Sequence, residues 1–98
     1  MRLFNICLRA LESLILTDLP NLTSLPESLG NLGFLQQLRI YSCKKLTCLP
    51  TSIQSLTGLE TLAIFNCGEL EKRCEKDTGD NWPKISHVEN VRIRIFKR

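Results

Sequence analysis

The cysteines, five in number, and the single histidine, His87, are the side chains of this 98-residue chain best suited to do chemistry. A thiol beside an imidazole can act as an activated nucleophile. Cys74 and His87 are the one pairing on offer, in and just beyond the polar stretch EKRCEKDTGDNWPKI (71–85), which also holds the only Trp, Trp82. No third group is evident to orient the imidazole, and no oxyanion site can be read, so the supporting geometry for catalysis is missing. Zinc is the second chemistry to weigh, with Cys43, Cys48, Cys67, Cys74 and His87 as ligand types. Their closest spacing is C-x4-C, and no C-x-x-C pair exists. The acids Glu69, Glu71, Glu75, Asp77 and Asp80 alternate with Lys72, Arg73 and Lys76, the pattern of a solvated face rather than a metal cage. Asn-Leu-Thr at 21–23 fits a glycosylation sequon, which has meaning only in a secreted chain. The expectation is a non-enzyme with no catalytic, cofactor-binding or metal residues and no cofactor of its own.

The elements that must carry these residues are bounded by size. A chain this short forms one small domain or part of a larger one, with a thin core. Hydrophobic content of 43% suits a globular protein, and a net charge of +3 is too mild to specify a nucleic-acid or membrane partner. No run reaches the roughly 18 apolar residues that span a bilayer. The opening MRLFNICLRALESL is interrupted by Asn5, Arg9 and Glu12 and makes no secretory signal. An odd cysteine count without such a signal points to a reducing, intracellular setting.

Residues 11–34 and 35–58 align without a gap, with identities that include Leu11/Leu35, Leu14/Leu38, Leu22/Leu46, Leu25/Leu49, Pro26/Pro50 and Leu32/Leu56. A third unit starts on time at Leu59, and Leu8 suggests the tail of an earlier one. This 24-residue period and its L-x-x-L-x-[LI] spacing are those of a leucine-rich repeat. The expected fold is a leucine-rich-repeat solenoid of the α/β class. About three repeats of short parallel strands with irregular or 3-10 return segments are followed by a C-terminal capping strand. In each strand alternate residues face opposite ways, so Leu38 and Ile40 point inward while Gln37, Arg39 and Tyr41 point out. Leu46, Leu49, Ile53 and Leu56 fill the interior on the way back. Cys43 and Cys67 share one slot at the turn after the strand, as stacked buried thiols; a disulfide between them is the alternative. The boundaries are 1–10 for a remnant of a preceding repeat or an edge, 11–70 for the repeats and 71–98 for the cap and final strand.

The third return breaks the pattern. Arg73 and Asp77 stand where Leu is due, Pro83 cannot open a strand, and the spacing resumes at Val88, Val91 and Ile93. Gly79 and Asn81, in TGDN (78–81), are expected to supply unusual backbone angles, and Trp82 to lie over the last row of leucines as a lid. The segment LEKRCEKDTGDNWPKISHVENVRI resembles the closing segment of plant nucleotide-binding leucine-rich-repeat immune receptors, of the coiled-coil class. The resemblance rests on Leu70, Glu71, Arg73, Cys74, Gly79, Asp80, Trp82, Pro83, Ile85, His87, Val88, Val91 and Ile93, and the preceding repeats are similar to that family's. It implies a defence role in the cytoplasm, with a pathogen effector or the receptor's own switch domain as protein partner. The family's nucleotide is held by a domain absent here, since the chain has no G-x-x-x-x-G-K-[ST]. A receptor fragment or truncated product is therefore expected, with marginal stability and self-association when isolated. A stand-alone scaffold or adaptor is the alternative.

Binding is expected on the outward, concave side of the strands. Its candidate residues are Gln37, Arg39, Tyr41, Thr61, Ala63, Phe65, Arg92 and Arg94, with Ser13, Ile15, Thr17 and Asn90 beside them. Arg39, Tyr41 and Phe65 are of types enriched at binding hot spots, and the arginines favour an acidic partner. The plainer reading is that Tyr41 and Phe65 only cover the sheet. The tail VRIRIFKR offers nucleic-acid contact through Arg92, Arg94, Lys97 and Arg98. Only Phe96 accompanies these as an aromatic, and a basic edge that discourages strand pairing accounts for them equally.

Overall fold

Stacked apolar positions set the architecture. A computed structural model describes residues 11–94 and contains one four-stranded parallel sheet, in the order β1 (Ser13–Thr17), β2 (Gln37–Tyr41), β3 (Thr61–Phe65) and β4 (Asn90–Arg94). The expected remnant over residues 1–10 and the tail residues Phe96, Lys97 and Arg98 lie outside the described residues. Gln37 lies opposite Ser13 and Thr61 opposite Gln37, steps of 24 residues, whereas Asn90 opposite Thr61 is a step of 29. One rung therefore reads Leu14, Leu38, Leu62, Val91, and another Leu16, Ile40, Ile64, Ile93. Leu38, Ile40, Leu62 and Ile64 have no exposed surface. Full burial of each such side chain contributes about 1.5–3 kcal/mol, which is why the 24-residue spacing fixes the strand register.

At the end of the first three strands the chain turns through a left-handed residue at the same position in each unit: Asp18, Ser42 and Asn66, with φ of 53, 55 and 58°. Asp and Asn tolerate that region better than most residues. Asn66 Nδ2 donates to Ser42 Oγ at 3.1 Å, linking two successive turns. The next position holds Cys43 and Cys67, both fully buried and free. Cys43 Sγ donates to Tyr41 O at 3.4 Å, and Cys67 Sγ to Phe65 O at 3.3 Å and Ile40 O at 3.5 Å. The shared slot thus works as a weak thiol cap on the strand ends.

The first two return paths follow the expected pattern. Pro26 and Pro50, in extended conformation, each precede a 3-10 helix, over Glu27–Asn31 and Thr51–Ser55. Leu46, Leu49, Ile53 and Leu56 are buried at 1% exposure or less. The two paths are tied together as well. Glu27 accepts from the Thr51 and Ser52 amides through its two carboxylate oxygens at 3.3 and 3.0 Å, and Ser52 Oγ donates to Glu27 O at 2.7 Å. Gly30 makes room for this approach: a Cβ there would sit 2.7 Å from Ser52 Cβ.

The third return departs from the irregular or 3-10 form expected of it. It contains two short α-helices, α1 (Glu69–Arg73) and α2 (Trp82–Ile85). Glu71, 3% exposed, accepts the Cys67 amide at 3.2 Å and so closes the entry to α1 from within. Pro83 occupies the first turn of α2, where its missing N–H costs nothing. Trp82 packs on the core only partly buried, while Ile85 is fully buried and Val88 nearly so, so the covering is shared. The expectation for Gly79 is corrected: the left-handed residue in this stretch is Asp77, and Asn81 has ordinary right-handed angles. Gly79 is required by contact instead, because a Cβ there would fall 2.2 Å from Arg73 O.

Candidate functional site

Two places merit testing as sites: the Cys74–His87 neighbourhood and the outward face of the sheet. Cys74 follows α1 and has no exposed surface. Desolvation pushes its thiol up to about 12, against a smaller opposing pull from the Lys84 ammonium. Burial likewise raises Cys67. His87, two residues after α2, is exposed, and its Nε2 lies 3.3 Å from Leu56 O. Since a carbonyl only accepts, that nitrogen is the donor. Lys84 Nζ donates to Leu49 O at 2.8 Å in the same manner. These two side chains fasten the cap onto the second return path. No hydrogen bond joins Cys74 to His87 among the described residues, and a thiol that holds its proton to about 12 is a poor nucleophile at neutral pH.

The same holds for the zinc reading: among the described residues no three His, Cys, Asp or Glu side chains are grouped to hold a metal ion. A cavity of about 260 Å³ opens between the segment that follows α1, the start of α2 and β4, lined by Cys74, Glu75, Lys76, Trp82, Val91 and Ile93. Its walls are mostly apolar, and its one sulfur is the protonated Cys74.

The sheet face brings the remaining candidates together in three rows set by register. The first is Ser13, Gln37, Thr61, Asn90; the second Ile15, Arg39, Ala63, Arg92; the third Thr17, Tyr41, Phe65, Arg94. In the third row the rings of Tyr41 and Phe65 stack, with centroids 5.4 Å apart and planes 24° from parallel. Such a pair is held more firmly than two isolated aromatic side chains. In the second row Arg39 Nη2 donates to Gln37 Oε1 at 3.1 Å, which orients the guanidinium along its own strand. Arg92 is exposed, and Ala63, between the two arginines, is only 4% exposed. Ala63 thus sits level with the two arginines with its methyl group almost closed to solvent. Arg94 is placed by backbone register opposite Phe65.

No acidic residue lies in any of the four strands. Glu12, Glu60 and Glu89 stand immediately before β1, β3 and β4 and are exposed. The face is thus acidic along its N-terminal margin and basic further on, near Arg39 and Arg92. Sequence reading reached the row residues through the alternation rule but missed Lys84 and Glu27. Each binds backbone 24 or more residues away, and no local spacing signals such a contact.

No protein-family model, curated protein or solved structure matches the chain. Among the described residues no helix is long and apolar enough to cross a membrane.

Proposed function

We propose that the chain is a stretch of leucine-rich-repeat solenoid that acts as a non-enzymatic protein-recognition module through the outward face of its sheet. The observation that carries this reading is the stacked Tyr41–Phe65 pair beside Arg39 and Arg92, on a surface built from backbone-paired strands. A rigid aromatic platform with arginine at its edge offers contact area at low entropic cost, which is how interface hot spots gain affinity. The 24-residue register steps, the 3-10 returns after Pro26 and Pro50 and the thiols at 43 and 67 support the repeat assignment. The closing segment supports a place at the C-terminal end of a plant immune receptor of the coiled-coil nucleotide-binding class, working in the cytoplasm.

The recognition half is tested with a photo-crosslinking phenylalanine analogue placed at Thr61 on the face or at Gln54 on the exposed return path, in the full chain expressed in plant cells. Discrete polypeptide adducts are expected from position 61 and not from 54, and Tyr41→Ala is expected to remove them. Equal labelling from both positions would sink the assignment. The family half is tested at the locus, where a reading frame encoding a P-loop domain is expected upstream.

A further inference from the structure

From the second row of the face we infer the kind of partner it takes: an extended, acidic polypeptide segment with carboxylates three residues apart, bound across the strands between Arg39 and Arg92. This rests on the recognition reading above and narrows it.

Arg39 and Arg92 lie on β2 and β4, two strand spacings apart, so their backbones are separated by about 10 Å. Ala63 lies between them at the same level and projects no more than a methyl group. Three residues of a chain extended as polyproline II complete one turn, rise about 9 Å and bring the side chain back to the same face. A peptide laid across the strands over Ala63 therefore presents one carboxylate to each guanidinium at a spacing of i and i+3. Among the described residues neither arginine takes part in an ion pair, and only the Arg39–Gln37 bond uses any of their donors. A guanidinium carries five N–H donors in a fork that matches a carboxylate. About 7 Å further along the strands the Tyr41–Phe65 platform offers a seat for an apolar side chain of the same segment.

The charge pattern selects a short acidic segment over a nucleic acid. A nucleic-acid strand carries a charge at every nucleotide and follows a continuous basic groove. Here the strands carry arginine at isolated register positions, Arg39 and Arg92 in one row and Arg94 in the next, and Glu12, Glu60 and Glu89 repel a polyanion along the neighbouring margin. That same margin fixes the segment toward the C-terminal side of the strands.

The experiment selects random decapeptides by display on the full chain and re-measures individual binders by fluorescence anisotropy at low and moderate salt. The expected result is enrichment of Asp or Glu at i and i+3, with affinity lost at least tenfold in the Arg39→Gln/Arg92→Gln variant and a smaller loss in Arg39→Lys/Arg92→Lys, which keeps the charge without the fork. Thermal melting shows that the variants remain folded. Binders that are lost in Tyr41→Ala but show no acidic preference, and are indifferent to the arginine substitutions, would overturn the inference and leave the recognition reading standing. Binders indifferent to every face substitution would overturn both. A 12-nucleotide single-stranded RNA that binds more tightly than any selected peptide, and is lost in the same arginine variant, would replace the polypeptide partner with a phosphate one.

Discussion

Burial leaves the Cys74 thiolate without water to solvate it, so the proton stays on sulfur until about pH 12 in the folded chain and leaves near 9 in the unfolded one. The unfolded state therefore binds fewer protons between those two values, and stability falls as pH rises through that window. Below pH 9 the contribution of Cys74 is fully present. Urea unfolding at pH 8 and pH 10.5 is expected to show a lower midpoint at the higher pH, with a smaller drop in Cys74→Ala. A drop of equal size in both would assign the effect to other groups. The same protonation makes Cys74 a poor nucleophile at neutral pH, and the imidazole of His87 is engaged with Leu56 O instead of the thiol.

Glu27 shows how one element is capped by another. The 3-10 helix that follows Pro50 has no capping side chain of its own, and the carboxylate of Glu27 from the preceding unit satisfies the amides of Thr51 and Ser52. Replacing a cap of this type costs about 1 kcal/mol, and exposure to solvent reduces its charged part. Glu27→Ala is expected to lower stability by about 0.5–1 kcal/mol and Glu27→Gln by roughly half of that, read from urea midpoints. No change in either would mean that water caps the helix equally well. At this scale the sequence was most legible where every unit repeats one requirement. Leu14, Leu38 and Leu62 occupy one rung because each must fill the same space, so strand positions and register followed from spacing alone. Where the requirement changes, the pattern falls silent. Nothing in the spacing around Arg73 announces α1, and Gly79 looked like a turn residue when its role is to let the chain pass Arg73 O. The face was readable by alternation, yet the near-burial of Ala63 depends on the length of its neighbours, which alternation does not encode.

Across the whole molecule, hydrogen bonds of the sheet run only between consecutive strands, so each unit is supported by the one before it and the one after. The apolar side chains Leu14, Leu19, Leu22 and Leu25 of the first unit are only partly buried, whereas their counterparts Leu38, Cys43, Leu46 and Leu49 are closed to solvent. Cohesion is therefore uneven along the stack. The step between strands also lengthens from 24 residues to 29 at the last one without disturbing the parallel ladder, since the extra chain is taken up by α1, α2 and their linker. This inequality turns the molecule into a graduated ruler under tension. Held by its two ends in an optical trap, it is expected to lengthen in discrete jumps, about 100 Å when the terminal 29-residue segment peels away and about 80 Å for a 24-residue one. The order in which the long and short jumps arrive would tell an observer which end yields first, with no label on the chain; a single jump spanning the whole length would mean that the rungs let go together.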